Sequence, residues 1–80
     1  MVSLAMRREL DARYLLCPMP VIRVQSAVAG LAPGDVLEVR ATDPGALHDI
    51  PAWCRVHGHE VLETASADGE VRIRLRVGDA

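Results

Sequence analysis

The chain has 80 residues, half of them hydrophobic, and a formal net charge of −2. All nine basic residues are arginines, which excludes lysine-based Schiff-base or general-base chemistry, and the weakly acidic balance lacks the overall field of a nucleic-acid binder. No stretch approaches the ~20 apolar residues of a membrane span, the N-terminus lacks the pattern of a secretory signal, and two distant cysteines make no disulfide framework, so a soluble cytoplasmic domain is expected.

One small domain over residues 1–80 is expected, with residues 1–6 frayed and an aliphatic core. Phe is absent, and Trp53 and Tyr14 are the aromatic residues. A chain this short buries only ~60% of its unfolded surface. The first strand fits residues 7 to 11, followed by a loop to Leu16. The period then changes: Val21, Val24, Val28 and Leu31 form one stripe of an amphipathic helix, with Arg23 and Ser26 toward solvent. Pro20 disfavours helical geometry at Met19, so this helix starts at Met19 or only at Pro20. It stops near Gly30, before the turn residues "APGD".

In "DVLEVRAT", Leu37, Val39 and Ala41 alternate with Glu38, Arg40 and Thr42, the pattern of a half-buried strand. A second helical stripe holds Leu47, Ile50 and Cys54, with Trp53 beside it. Pro51 fits best if Asp49 caps a helix with Pro51 in its first turn; the alternative is a longer, kinked helix from about Gly45. Gly58 ends it. "HEVLETAS" reads as a third strand, "ADG" as a tight turn, and "EVRIRLRV" as a fourth strand with Val71, Ile73, Leu75 and Val77 on one face and Arg72, Arg74 and Arg76 on the other. The order β-α-β-α-β-β implies an α+β, two-layer sandwich with both helices on one face of a four-stranded sheet and the other face solvated.

The chemistry concentrates at "LLCPMPVIR", residues 15 to 23. Pro18 biases Cys17 out of helical geometry and is itself welcome at a helix start, so the thiol lies near the positive end of the helix dipole. A helix N-terminus favours the thiolate, the nucleophile of sulfur chemistry, and a lowered Cys17 pKa is therefore expected. Pro18 and Pro20 stiffen the loop and remove two N–H groups, leaving those of Met19 and Val21 as possible donors to sulfur. Arg13 or Arg23 could add electrostatic support. Against this stands a structural reading, since cysteine is among the most buried residue types and proline at a helix start is ordinary. No Cys-x-x-Cys partner and no metal-ligand spacing accompanies Cys17. Cys54, on the apolar stripe, reads as a packing residue. His57 and His59 flank a helix-ending glycine, where histidine is commonly structural. A zinc site of Cys54, His57 and His59 would want a fourth ligand.

Taken together, these residues resemble the TusA, or SirA-like, sulfur-carrier family, from about residue 10 to residue 77. "LDARYLLCPMP" is similar to the family's Leu-Asp-x-x-x-x-x-Cys-Pro-x-Pro. "LEVRATDPGALHDIPAWCRVHGHEV" resembles its second strand, Asp-Pro turn, Asp-Ile-Pro helix start and Gly-His-Glu close. The resemblance implies two helices on a four-stranded mixed sheet in a bacterial, cytoplasmic sulfurtransferase-type protein. It implies that Cys17, supported by Pro18, Met19 and Pro20, carries sulfane sulfur as a persulfide, a carrier rather than a stand-alone catalyst, with no cofactor and no metal. The implied partners are a cysteine desulfurase or rhodanese-like donor and a downstream acceptor protein, serving tRNA thiolation, molybdenum-cofactor enzymes or sulfur oxidation. No membrane and no direct nucleic-acid contact is expected.

Tyr14 departs from the family, which usually has Gly there. If that glycine serves a positive-φ turn, Tyr14 is strained or the loop differs; alternatively, Tyr14 offers a partner an exposed aromatic. With Arg13 and Arg23 it is a candidate electrostatic or docking residue. Arginine in place of the family's lysines, as at Arg23, alters partner contacts. Two rival functions remain: a non-catalytic regulatory or interaction module in which Cys17 is only a cap, and a weak RNA-binding module using Arg72, Arg74 and Arg76, which lacks interleaved aromatics to stack bases.

Overall fold

The change from alternating residues to residues spaced by threes and fours sets the architecture. The computed structural model describes residues 6–79, with the order β1 (Arg7–Ala12), α1 (Met19–Ala29), β2 (Val36–Ala41), α2 (Ala46–His57), β3 (Glu60–Ala67) and β4 (Glu70–Arg76). The expected fraying falls mainly on residues outside this range. Met6 is tied down: its N–H donates to Asp35 Oδ1 at 2.9 Å and its carbonyl accepts from Val36 at 2.8 Å.

The strands lie in the order β1-β2-β4-β3. β1 and β2 run parallel, which requires the crossover that α1 supplies, and β4 is antiparallel to both β2 and β3. The sheet is therefore mixed, and β4 occupies an interior position. That placement explains its strict alternation: Val71, Ile73, Leu75 and Val77 are buried, between Arg72, Arg74 and Arg76. Leu37, Val39 and Ala41 face the same side from β2 and join Val24 and Val28 of α1 and Ala46, Ile50 and Cys54 of α2 in one core. Both helices thus cover one face.

The other face carries charge in pairs. Arg7 meets Glu38, Arg40 and Arg72 share Glu70, Arg74 meets Glu63, and Arg76 meets Glu60. Across the ladder Arg40 stands opposite Arg72, a repulsive pair that the Glu70 carboxylate neutralises.

β3 is an edge strand, half-buried only at Val61, with a register shift between Val61 and Glu63. A bulge of this kind blunts an exposed edge. Its hairpin to β4 closes through Asp68 and Gly69, both at positive φ (54° and 76°), the two-residue geometry that matches strand twist.

The favoured reading of Pro51 does not hold: Asp49 is no cap but lies in the first turn of α2, which begins at Ala46 with Pro51 inside it, as the longer-helix alternative has it. Asp43, not Asp49, organises its start. Asp43 Oδ1 accepts the Gly45 N–H at 3.0 Å and the Asp43 carbonyl accepts that of Ala46 at 3.0 Å. Pro51 has no N–H for the Leu47 carbonyl. α2 ends at Gly58 in the left-handed region, φ 78°. Immediately beyond, Gly78 N–H donates to His59 Nδ1 at 3.0 Å, and a Cβ on Gly78 would lie 1.8 Å from the Gly58 carbonyl oxygen. Only glycine lets the chain after β4 pass so close to the end of α2.

Candidate functional site

The parallel β1 and β2 end side by side at Ala12 and Ala41, so the loops leaving them meet at one end of the sheet. The first leads to Cys17 and α1, the second to Asp43 and α2. Two backbone donors of the first loop are satisfied by side chains of the second. Tyr14 N–H donates to Thr42 Oγ1 at 2.8 Å, and Cys17 N–H donates to Asp43 Oδ2 at 2.9 Å. The segment before α1 is thus held by tertiary contacts as well as by its prolines.

Cys17 is exposed. Pro18 is the N-cap of α1, the Cys17–Pro18 peptide is cis, and regular helix starts at Met19. Met19 N–H is taken by the Leu16 carbonyl at 2.8 Å and is not offered to sulfur. The thiol instead donates to a carboxylate, Sγ lying 3.4 Å from Asp49 Oδ2 in the first turn of α2.

This contact reverses the expected electrostatics. The hydrogen bond to Asp49, together with desolvation and the charges of Asp49 and Asp43, raises the Cys17 pKa above its ordinary value. A dipole contribution is modest, and here two carboxylates oppose it at close range. The raised pKa favours the neutral thiol form of Cys17.

Arg13, a proposed electrostatic aid, is engaged elsewhere. Its Nε and Nη2 hold both Asp11 oxygens at 3.0 Å, keeping that carboxyl at a pKa of about 2, and its guanidinium lies 5.8 Å from the Tyr14 ring centroid. Arg23 sits on the exposed side of α1. Neither arginine acts on the sulfur; its surroundings are acidic.

Tyr14 has φ 64° and is 81% exposed. The loop does require a positive φ there, and the tyrosine adopts it with its ring in solvent. A left-handed non-glycine residue costs ~1–2 kcal/mol. Near Cys17 in sequence, Leu16 is 77% exposed and Met19 and Ile22 are also open, so the start of α1 presents apolar side chains to solvent.

Cys54 is the opposite case. It is fully buried, and burial pushes its thiol up to about 11. His57 and His59 do not join it; their rings lie 4.9 and 5.1 Å from that of Trp53. His59 Nδ1 accepts a backbone N–H, and desolvation with the neighbouring His57 lowers its pKa. Among the described residues no group of three His, Cys, Asp or Glu side chains could hold a metal ion. A shallow hollow lined by Arg40, Ala65, Ala67, Asp68, Glu70 and Arg72 lies on the open sheet face and does not include Cys17.

Thr42, Asp43 and Asp49 are the site residues that motif reasoning missed. "TDPGALHD" reads locally as a turn and a helix start. Only the parallel pairing of β1 and β2 brings it against a cysteine 26 to 32 positions away.

A small two-layer α+β domain that holds one exposed cysteine where a strand-to-helix loop enters its helix defines a recognisable class. The chain belongs to the sulfurtransferase TusA family, whose model matches residues 8–77. YrkI of Bacillus subtilis is 50% identical over 69 residues, covering 86% of this chain and 92% of that protein. The sulfur carrier protein TusA of Allochromatium vinosum is 35% identical over 69 residues, covering 86% and 91% respectively. Among solved structures, a SirA-like protein from Desulfitobacterium hafniense superposes with a TM-score of 0.79 at 26% identity, over 90% of this chain and 99% of that one. The mixed sheet and element order expected from the sequence match that fold.

Proposed function

We propose that this chain carries sulfane sulfur as a persulfide on Cys17 and relays it between a donor and an acceptor protein. The observation that carries the reading is the position of Cys17: an exposed thiol at the start of α1, on a loop held by Thr42 and Asp43, in a chain of the TusA family. Pro18 and Pro20 limit the loop's freedom, and Met19 shares the exposed surface.

In the loading step Cys17 Sγ attacks the outer sulfur of the donor's persulfide. A new S–S bond forms, the donor's S–S bond breaks, and the donor leaves as a thiolate that takes up the proton Cys17 gives up. An acceptor thiolate then attacks the outer sulfur of Cys17–S–SH and regenerates the Cys17 thiol. Neither step needs a cofactor. A cysteine desulfurase or a rhodanese-like protein suits the donor role. tRNA thiolation, molybdenum-cofactor enzymes and sulfur oxidation are the end uses the resemblance suggests, with Tyr14 and Arg23 offered to whichever partner docks.

The RNA-binding alternative weakens on the open face, where Arg72, Arg74 and Arg76 each meet a carboxylate. To test the relay, the chain is loaded with a cysteine desulfurase and cysteine, or a rhodanese and thiosulfate, separated from the donor, and mixed with thiol-bearing acceptors. Cyanide-labile sulfur appearing on the chain and then on an acceptor is the expected result. Loading that no acceptor can discharge would contradict a relay, and no loading from either donor would contradict carriage itself.

A further inference from the structure

We propose that Asp49 is a positioning residue for the Cys17 thiol: its carboxylate accepts the S–H hydrogen bond, turns the sulfur toward α2, and so makes the free carrier a poor nucleophile until the contact is broken. This deepens the carriage reading and takes its biological sense from it.

Three observations support the assignment. The Sγ to Asp49 Oδ2 distance is 3.4 Å, within reach of a thiol–carboxylate hydrogen bond, and no other donor among the described residues reaches that carboxylate. Asp43, whose Oδ2 holds the Cys17 N–H at 2.9 Å, brings a second negative group to the same place. The two carboxylates flank Gly45: a Cβ there would lie 3.5 Å from Asp43 Oδ1 and 3.7 Å from Asp49 Oδ2.

The other titratable groups on the surrounding elements do not offset them. Arg13 is committed to Asp11, Tyr14 points into solvent, and Arg23 and His48 lie on exposed positions of α1 and α2. The hydrogen bond to Asp49, desolvation and the charges of Asp49 and Asp43 act on the sulfur in one direction, toward the neutral thiol.

The consequence is a carrier whose reactivity depends on its encounter. Free in solution, Cys17 keeps its proton and reacts slowly with stray electrophiles and oxidants, because the thiolate is the reactive form. During loading that proton must leave as Sγ bonds to the donor's outer sulfur, and the departing donor thiolate receives it, so the number of protons and electrons is unchanged. Once loaded, Sγ has no proton to donate and the contact with Asp49 is lost.

The test is the pH dependence of Cys17 alkylation by iodoacetamide, followed by mass on the native protein, in wild type, Asp49→Asn and Asp49→Glu. In wild type the midpoint should lie above that of an unconstrained cysteine thiol in a short peptide titrated alongside. Asp49→Asn should move the midpoint to lower pH and raise the rate at pH 7.5 by ~3- to 10-fold, leaving the plateau at high pH unchanged. Asp49→Glu should stay near wild type. An Asp49→Asn midpoint that does not move, or moves upward, overturns the assignment. So does a wild-type midpoint at or below that of the peptide thiol, which needs no variant to fold. No sulfur donor is used, so the outcome is separate from whether the chain carries sulfur. Failure of carriage would show as absent loading while the alkylation profile still shifted.

Discussion

The two cysteines of this chain sit on opposite sides of the same helix packing and show what surroundings do to one functional group. Cys54 faces the sheet from the middle of α2, fully buried beside Ile50 in the shared core. Cys17 stands outside α1, exposed, with its backbone and its sulfur each held by an aspartate of the β2–α2 region. Both thiols have their pKa raised, for unlike reasons: Cys54 chiefly by burial, Cys17 chiefly by a hydrogen bond to a neighbouring carboxylate. A raised thiol pKa therefore does not by itself separate a packing cysteine from a chemical one. Access does.

Substitution should separate the two regions by the size of the stability loss. Ile50→Ala, which empties a fully buried site beside Cys54, should cost ~2–5 kcal/mol in urea unfolding. Cys54→Ser, which places a hydroxyl among apolar neighbours, should cost ~1–3 kcal/mol. Cys17→Ser should stay within ~0.5 kcal/mol of wild type. If Cys17→Ser destabilised as much as Cys54→Ser, the view of Cys17 as a presented rather than a packed residue would fail.

Alkaline titration sharpens the same contrast. The folded Cys54 pKa, about 11, exceeds the value of 9.0 for the unconstrained thiol. Between those limits the unfolded chain binds fewer protons than the folded one, so stability falls as pH rises from about 9 to about 11. Cys54→Ala should remove that part of the slope, measured as the urea midpoint against pH. An unchanged slope would place the origin elsewhere.

A smaller effect is expected at Tyr14. Replacement by glycine relieves the left-handed backbone but adds unfolded-state entropy, so Tyr14→Gly should stabilise by ~0.5–1 kcal/mol. A loss of stability would mean that the ring contributes more than the backbone conformation costs.

Much of this was legible in the chain itself, for local reasons. The strict alternation of β4 and β2 and the spacing of Val24 and Val28 depend on which side of an element meets the core, a short-range pattern. Pro51 was ambiguous because a proline within the early turns of a helix can be read as starting it; the Asp43 turn that settles the matter lies eight residues earlier. The expected sign of the Cys17 pKa was wrong for a different reason. The helix dipole belongs to the local sequence, whereas Asp49 arrives only through the tertiary fold, and the nearer charge wins.

The proposed carriage puts sulfur on Cys17 and not on Cys54. The most direct measurement is intact mass, without reductant, after incubation with a cysteine desulfurase and cysteine, for wild type, Cys17→Ser and Cys54→Ser. Gain of one sulfur atom's mass, reversed by reductant, present in wild type and Cys54→Ser and absent in Cys17→Ser, is the predicted result. Retention of that gain in Cys17→Ser, or its absence from wild type, would contradict the account.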